Sequence, residues 1–130
     1  MTPNQKKVLL VIRIVIALIL IQTLRFKFTA HPDSVYIFTQ AGIEPYGRIA
    51  VGILELIAGI LLLIPKTIWV GAITTIGLMA GAIFIHLTKI GVIVNNDKGV
   101  LFVTAFLTLI LSTIVLYSYR SDIPFLTKYK

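Results

Sequence analysis

Four long apolar runs separated by short polar intervals set the pattern of this chain. They predict helices over residues 7–27, 46–64, 68–90 and 100–119. Each is about the ~20 residues that a helix needs to cross the hydrocarbon core of a bilayer. Pro65-Lys66-Thr67 leaves room only for a tight turn, so the third helix returns antiparallel beside the second. The longest polar interval runs from Arg25 to Pro45. Within it His31-Pro32-Asp33-Ser34 is a helix-start signal, with Asp33 or Ser34 as the cap. Val35, Phe38 and Ala41 then share a face, and Gly42 with Pro45 stops the turn. A short interfacial helix over Ser34–Ala41, lying across the mouth of the bundle, is expected, with an ordered loop as the alternative. Asn95-Asn96-Asp97-Lys98-Gly99 reads as a turn, and Pro124 and Phe125 in the basic tail read as interfacial. The expected fold class is all-α: one integral membrane four-helix bundle over residues 1–130.

Composition agrees with the pattern. The chain is 58% hydrophobic and 13% charged, against about 45–50% and ~25% in soluble domains. The net charge of +7 does not point to nucleic acid, because the basic residues sit at helix ends and in short loops, as membrane orientation signals do. Cysteine is absent, which excludes disulfides, thiolate metal sites and thiol redox chemistry. Lys6-Lys7 before an apolar run resembles a signal peptide, but the run is long and no convincing cleavage site follows. It is read as a retained first span. Lys6, Lys7, Lys66, Arg120, Lys128 and Lys130 fall on the side of the termini. Arg25, Lys27, Lys89 and Lys98 fall on the other, with Arg48 near its boundary. This bias places both termini in the cytoplasm.

The second helix carries the candidate chemistry. Arg48, Gly52, Glu55 and Gly59 share one face. A charge near mid-membrane costs at least ~2.5 kcal/mol on insertion scales, so Glu55 should face other helices and meet a cation. The glycines should admit a close neighbour. In the third helix His86 lies roughly 6 Å below the boundary and Glu55 roughly 13 Å, and opposite side-chain leans bring the two together. Arg48 is nearly level with His86, Lys89 closes the third helix, and Arg25 or Lys27 arrives at the same layer from the first. The candidate binding residues are therefore Arg25, Lys27, Arg48, Glu55, His86 and Lys89. Cations outnumber the carboxylate there, which favours a ligand with an anionic or electron-rich oxygen. The structural alternative is that Glu55 pairs with Arg48 or a first-helix cation and the network fixes helix register. Elsewhere, Gly77 and Gly81 form a GxxxG packing surface, Arg13 snorkels to the headgroups, and the Thr104, Thr108 and Ser112 hydroxyls bond back to their own helix. No catalytic set, metal site or bis-histidine haem pair is predicted.

Several of these features resemble the DoxX family of small bacterial four-helix membrane proteins: Arg13 followed by Lys27, the run GILELIAGILLLIP around Glu55, and LMAGAIFIHL ending near His86. The resemblance extends over nearly the whole chain. It departs in the first helix, where Leu24-Arg25 stands in place of a small residue before the basic one, so both Arg25 and Lys27 are kept. The family is named from a subunit associated with thiosulfate:quinone oxidation. The resemblance implies a bacterial inner-membrane protein and an accessory or quinone-interacting component of a membrane oxidoreductase system, with a quinone as the candidate cofactor. A branch involved in methylamine dehydrogenase maturation is cysteine-linked, which does not suit this chain. No side chain here can hold an electron, so any redox centre must come from a quinone or a partner. The alternatives are a small-molecule or lipid-binding or transport protein, and a structural assembly subunit with a membrane partner or a second copy.

Overall fold

A computed structural model gives the structure of residues 2–29, 31–91 and 99–123, the side chains of Phe26 and Asp33 excepted. The expected turn over Asn95–Lys98 and the tail residues Pro124 and Phe125 lie outside the described residues. Five α-helices follow in order: α1 (Pro3–Phe28), α2 (Pro32–Gln40), α3 (Tyr46–Leu63), α4 (Ile68–Ile85) and α5 (Val100–Ser118). Four of the helical segments are long and apolar enough to cross a membrane. α1 packs on α3, α3 on α4 and α4 on α5, and a lighter contact between α1 and α5 closes the ring. Ile16, Leu20, Ala58, Leu62, Ala72 and Val115 form the centre of the core. The outward faces remain apolar, as lipid requires: Ile53, Leu56, Ile60 and Leu63 on α3 are all exposed.

Local chemistry sets the helix ends. α1 starts before the expected residue 7 because Thr2 and Gln5 form a capping box. The Thr2 hydroxyl accepts from the Gln5 N–H at 3.2 Å and the Gln5 side chain accepts from the Thr2 N–H at 3.0 Å. α2 begins at Pro32, so Asp33 and Ser34 lie inside the helix rather than capping it. Proline suits a first helical position because its missing N–H would have no partner there. α2 ends at Gln40, and Gly42, whose φ of 79° is costly for other residues, stops the turn as expected. The Gly42 N–H donates to Thr39 and the Ile43 N–H to Phe38, both at 3.0 Å, which satisfies the last carbonyls. The third span is not one continuous α-helix. Its last turn, His86–Ile90, is π-helical and ends at Gly91 with φ 76°.

The glycines divide into two kinds. A Cβ on Gly52 would meet the Phe28 ring at 2.8 Å, and one on Gly71 would meet the Leu62 nitrogen at 2.8 Å. These two permit close packing of α3 on α1 and of α4 on α3. A Cβ on Gly77 or Gly81 would meet nothing within 4 Å. The GxxxG pair is therefore not a packing surface inside the bundle, contrary to the expectation from its spacing.

Candidate functional site

The face of α3 that the sequence singles out is the buried one, with Arg48, Gly52, Glu55 and Gly59 turned inward. Glu55 is 3% exposed, and each of its oxygens has a partner from α1. Lys27 Nζ lies 3.1 Å from Oε1, and the Thr23 hydroxyl donates to Oε2 at 2.7 Å. Thr23 and Lys27 are four residues apart, hence on one face of α1. Arg25 is turned away from them and exposed. Of the two candidate first-helix cations, Lys27 is the one that reaches the carboxylate.

Arg48 takes a different partner. Its Nε donates to Glu44 at 2.8 Å to Oε1 and 3.1 Å to Oε2, and Nη1 donates to the Lys27 carbonyl. It thereby ties the start of α3 to the end of α1 and fixes the backbone that carries Lys27. Glu44 was missed in the sequence reading. Its signal was the i, i+4 spacing to Arg48, obscured because Pro45 places Glu44 ahead of the helix. The consequence is electrostatic: Lys27 is offset by Glu55 and Arg48 by Glu44. Lys89 is exposed on the π-helical turn. Among the described residues the buried charges of this layer therefore balance, and Arg25 and Lys89, which no described acid offsets, are exposed rather than turned into it.

His86 is 4% exposed. Its Nδ1 lies 2.9 Å from the Gly91 carbonyl, an acceptor, so Nδ1 carries the proton and donates. The bond spans the π-helical turn and holds its end. The ring sits edge-on to Phe102 at 5.5 Å. Among the described residues Nε2 has no partner, and the side chain borders a cavity of about 310 Å³. The polar end of that cavity is formed by Thr23, Lys27, Ser34, Glu55 and His86, beneath α2. Leu20, Phe38, Leu78 and Ala105 supply apolar wall. Gly77 and Gly81 also border it, and both are exposed, so the cavity is open along that stripe of α4. The Thr104 and Thr108 hydroxyls donate to the carbonyls four residues earlier, each at 2.7 Å, as expected. Ser112 does not follow them: its Oγ is buried with no partner.

The volume lies at the lower end of the ~300–1,000 Å³ typical of small-molecule sites, and the mixture of apolar wall and few polar groups is of the same kind. Among the described residues no group of His, Asp and Glu could hold a metal. A buried, charge-balanced polar cluster under a helical cover, within an all-α bundle of four apolar spans, defines a multi-pass membrane protein with an internal amphipathic cavity. The DoxX family matches residues 8–88, more than half of the chain, and the protein belongs to that family. The match takes in α1 from Val8 onward, α2 to α4 and His86, but not α5. No curated protein and no solved structure matches the chain.

Proposed function

We propose that this DoxX-family protein is an accessory, quinone-interacting component of a membrane oxidoreductase system, and that its cavity receives the head of an uncharged quinone-like amphiphile. The observation that carries this reading is the charge balance at the cavity's polar end. An anionic head would enter a layer whose cations are already neutralised. A neutral carbonyl needs only donors, and the Lys27 ammonium and the Ser34 hydroxyl supply them. His86 Nε2, opposite the Nδ1 proton that donates to Gly91, accepts from a ligand hydroxyl. Arg25 and Lys89 take no part. Arg48 acts by positioning Lys27. A bound quinone would bring the electron-carrying chemistry that the side chains lack. The protein sits in the bacterial inner membrane with both termini cytoplasmic, following the distribution of lysine and arginine.

A second reading, a lipid or small-molecule binding or transport protein, is favoured by the opening at Gly77 and Gly81, which would admit a ligand sideways from the bilayer. Titration of the detergent-solubilised protein with a short-chain ubiquinone and with an anionic phospholipid separates the two. Quinone binding that weakens in both His86→Ala and Lys27→Ala supports the first reading. Preference for the phospholipid supports the second, and no binding of either removes the cavity as a site for these ligands.

A further inference from the structure

A second polar layer lies at the opposite end of the bundle, where α1 begins and α5 ends. Arg13 does not snorkel outward. It is 6% exposed and turns toward α5, donating from Nη1 to the Tyr119 hydroxyl at 3.2 Å. Its guanidinium carbon stands 5.9 Å from the Tyr119 ring centroid. Nε is buried with no hydrogen-bond partner, and among the described residues no carboxylate pairs with this arginine. A desolvated guanidinium without a counter-charge is costly and leaves a positive field around it.

Beside Arg13 a groove of about 730 Å³ runs between α1 and α5. Its inner wall is apolar, from Val8, Ile12 and Ile114, and its outer rim is polar, from Asn4, Ser118 and Arg120. Arg13 does not itself line the groove, but its chain neighbour Ile12 does, and so do Ser118 and Arg120 on either side of its partner Tyr119. Arg120 is fixed at the rim. Its guanidinium carbon lies 4.0 Å over the Tyr117 ring, and Nη1 donates to the Tyr117 carbonyl at 2.6 Å. An arginine has five N–H donors in a planar fork suited to phosphate, and this contact engages one nitrogen. Lys6 and Lys7 are exposed on the same end, and so is one acid, Asp122.

We propose that this groove binds an anionic phospholipid of the leaflet on the side of the termini. The phosphate lies on Arg120, an acyl chain follows Val8, Ile12 and Ile114, and the uncompensated charge of Arg13 behind them adds to the selection for an anion. Charge decides against a zwitterionic lipid. The apolar wall beneath the rim decides against a free anion, which would have no use for it. The site is independent of the cavity under α2.

The test is native mass spectrometry of the full chain released from nanodiscs of phosphatidylcholine and phosphatidylglycerol in equal amounts. The parent should retain phosphatidylglycerol preferentially. Arg120→Gln should weaken that retention about tenfold, the size expected for losing a charge-assisted hydrogen bond. Ile114→Trp, which fills the groove from an exposed position, should weaken it as well, and sn-glycerol 3-phosphate should not displace the lipid. Equal retention of the two lipids by the parent overturns the proposal. So does unchanged retention in both variants, and so does displacement by glycerol phosphate, which would indicate a free-anion site.

Discussion

Glu55 and Lys27 form a pair that neither can leave alone. Both side chains are largely withdrawn from solvent, 4% and 15% exposed. Removing one member of a buried pair typically costs about 3–5 kcal/mol, because the other charge is stranded, whereas replacing both by apolar groups is often neutral. Glu55→Leu should therefore lower the melting temperature in detergent, and adding Lys27→Met should restore most of it. A double variant no more stable than Glu55→Leu would mean that the carboxylate serves some other partner. The partnership was legible in part. Burial of Glu55 followed from its place in α3, and helical phase on α1 could have chosen Lys27, since Thr23 and Lys27 share a face that Arg25 does not. The inward turn of Arg13 was not legible, because its partner Tyr119 is 106 residues away and no local rule connects them.

At the scale of the helix, glycine spacing and glycine function come apart. Gly77 and Gly81 carry the spacing associated with helix contact but, among the described residues, have open space where a Cβ would stand, whereas Gly71, which belongs to no such motif, lets α4 approach the α3 backbone. Gly71→Ala would press a methyl group against the Leu62 nitrogen and the Ala58 carbonyl, at 2.8 and 2.9 Å. Backbone cannot yield as a side chain can, so a loss of about 1–3 kcal/mol is expected, read as a lower melting temperature. Gly81→Ala has open space around it and should gain up to about 1 kcal/mol from helix propensity. Gly81→Leu should leave the bundle folded while weakening binding of a quinone-like probe to the cavity. Loss of folding in Gly81→Leu would show that the stripe packs against something after all, such as a second copy. The α-helical spans followed from apolar run length, and the start of α1 could have been placed by its Thr-Pro-Asn-Gln cap. The π-helical turn at His86–Ile90 had no such signal. One extra residue in a turn leaves no mark on hydrophobic periodicity, and only the positive φ at Gly91 hints that the chain changes course.

For the whole molecule, the start of α1 and the end of α5 lie at one end of the bundle, with α2 and the cavity at the other. Arg13 of α1 meeting Tyr119 just past α5 fixes that relation. The sequence count of basic residues is close because it includes Lys27 and Arg48, which the fold withdraws into ion pairs. Among the described residues the exposed cations are Lys6, Lys7, Lys66 and Arg120 at the end of the termini, against Arg25 and Lys89 at the other. Four against two among the described residues leans in the direction expected of cytoplasmic termini. The orientation is testable without background, since the chain has no cysteine. Ser34 would be a poor reporter, being 5% exposed on the inward face of α2, but Gln40 and Asp122 are exposed at opposite ends. In intact cells a membrane-impermeant maleimide should label Gln40→Cys and spare Asp122→Cys until the membrane is permeabilised. Removing Asp122 takes away an acid rather than a cation, so the substitution does not weaken the charge bias it reports on. The opposite labelling pattern would invert the protein, placing the α2 cavity toward the cytoplasm and the α1–α5 groove in the outer leaflet.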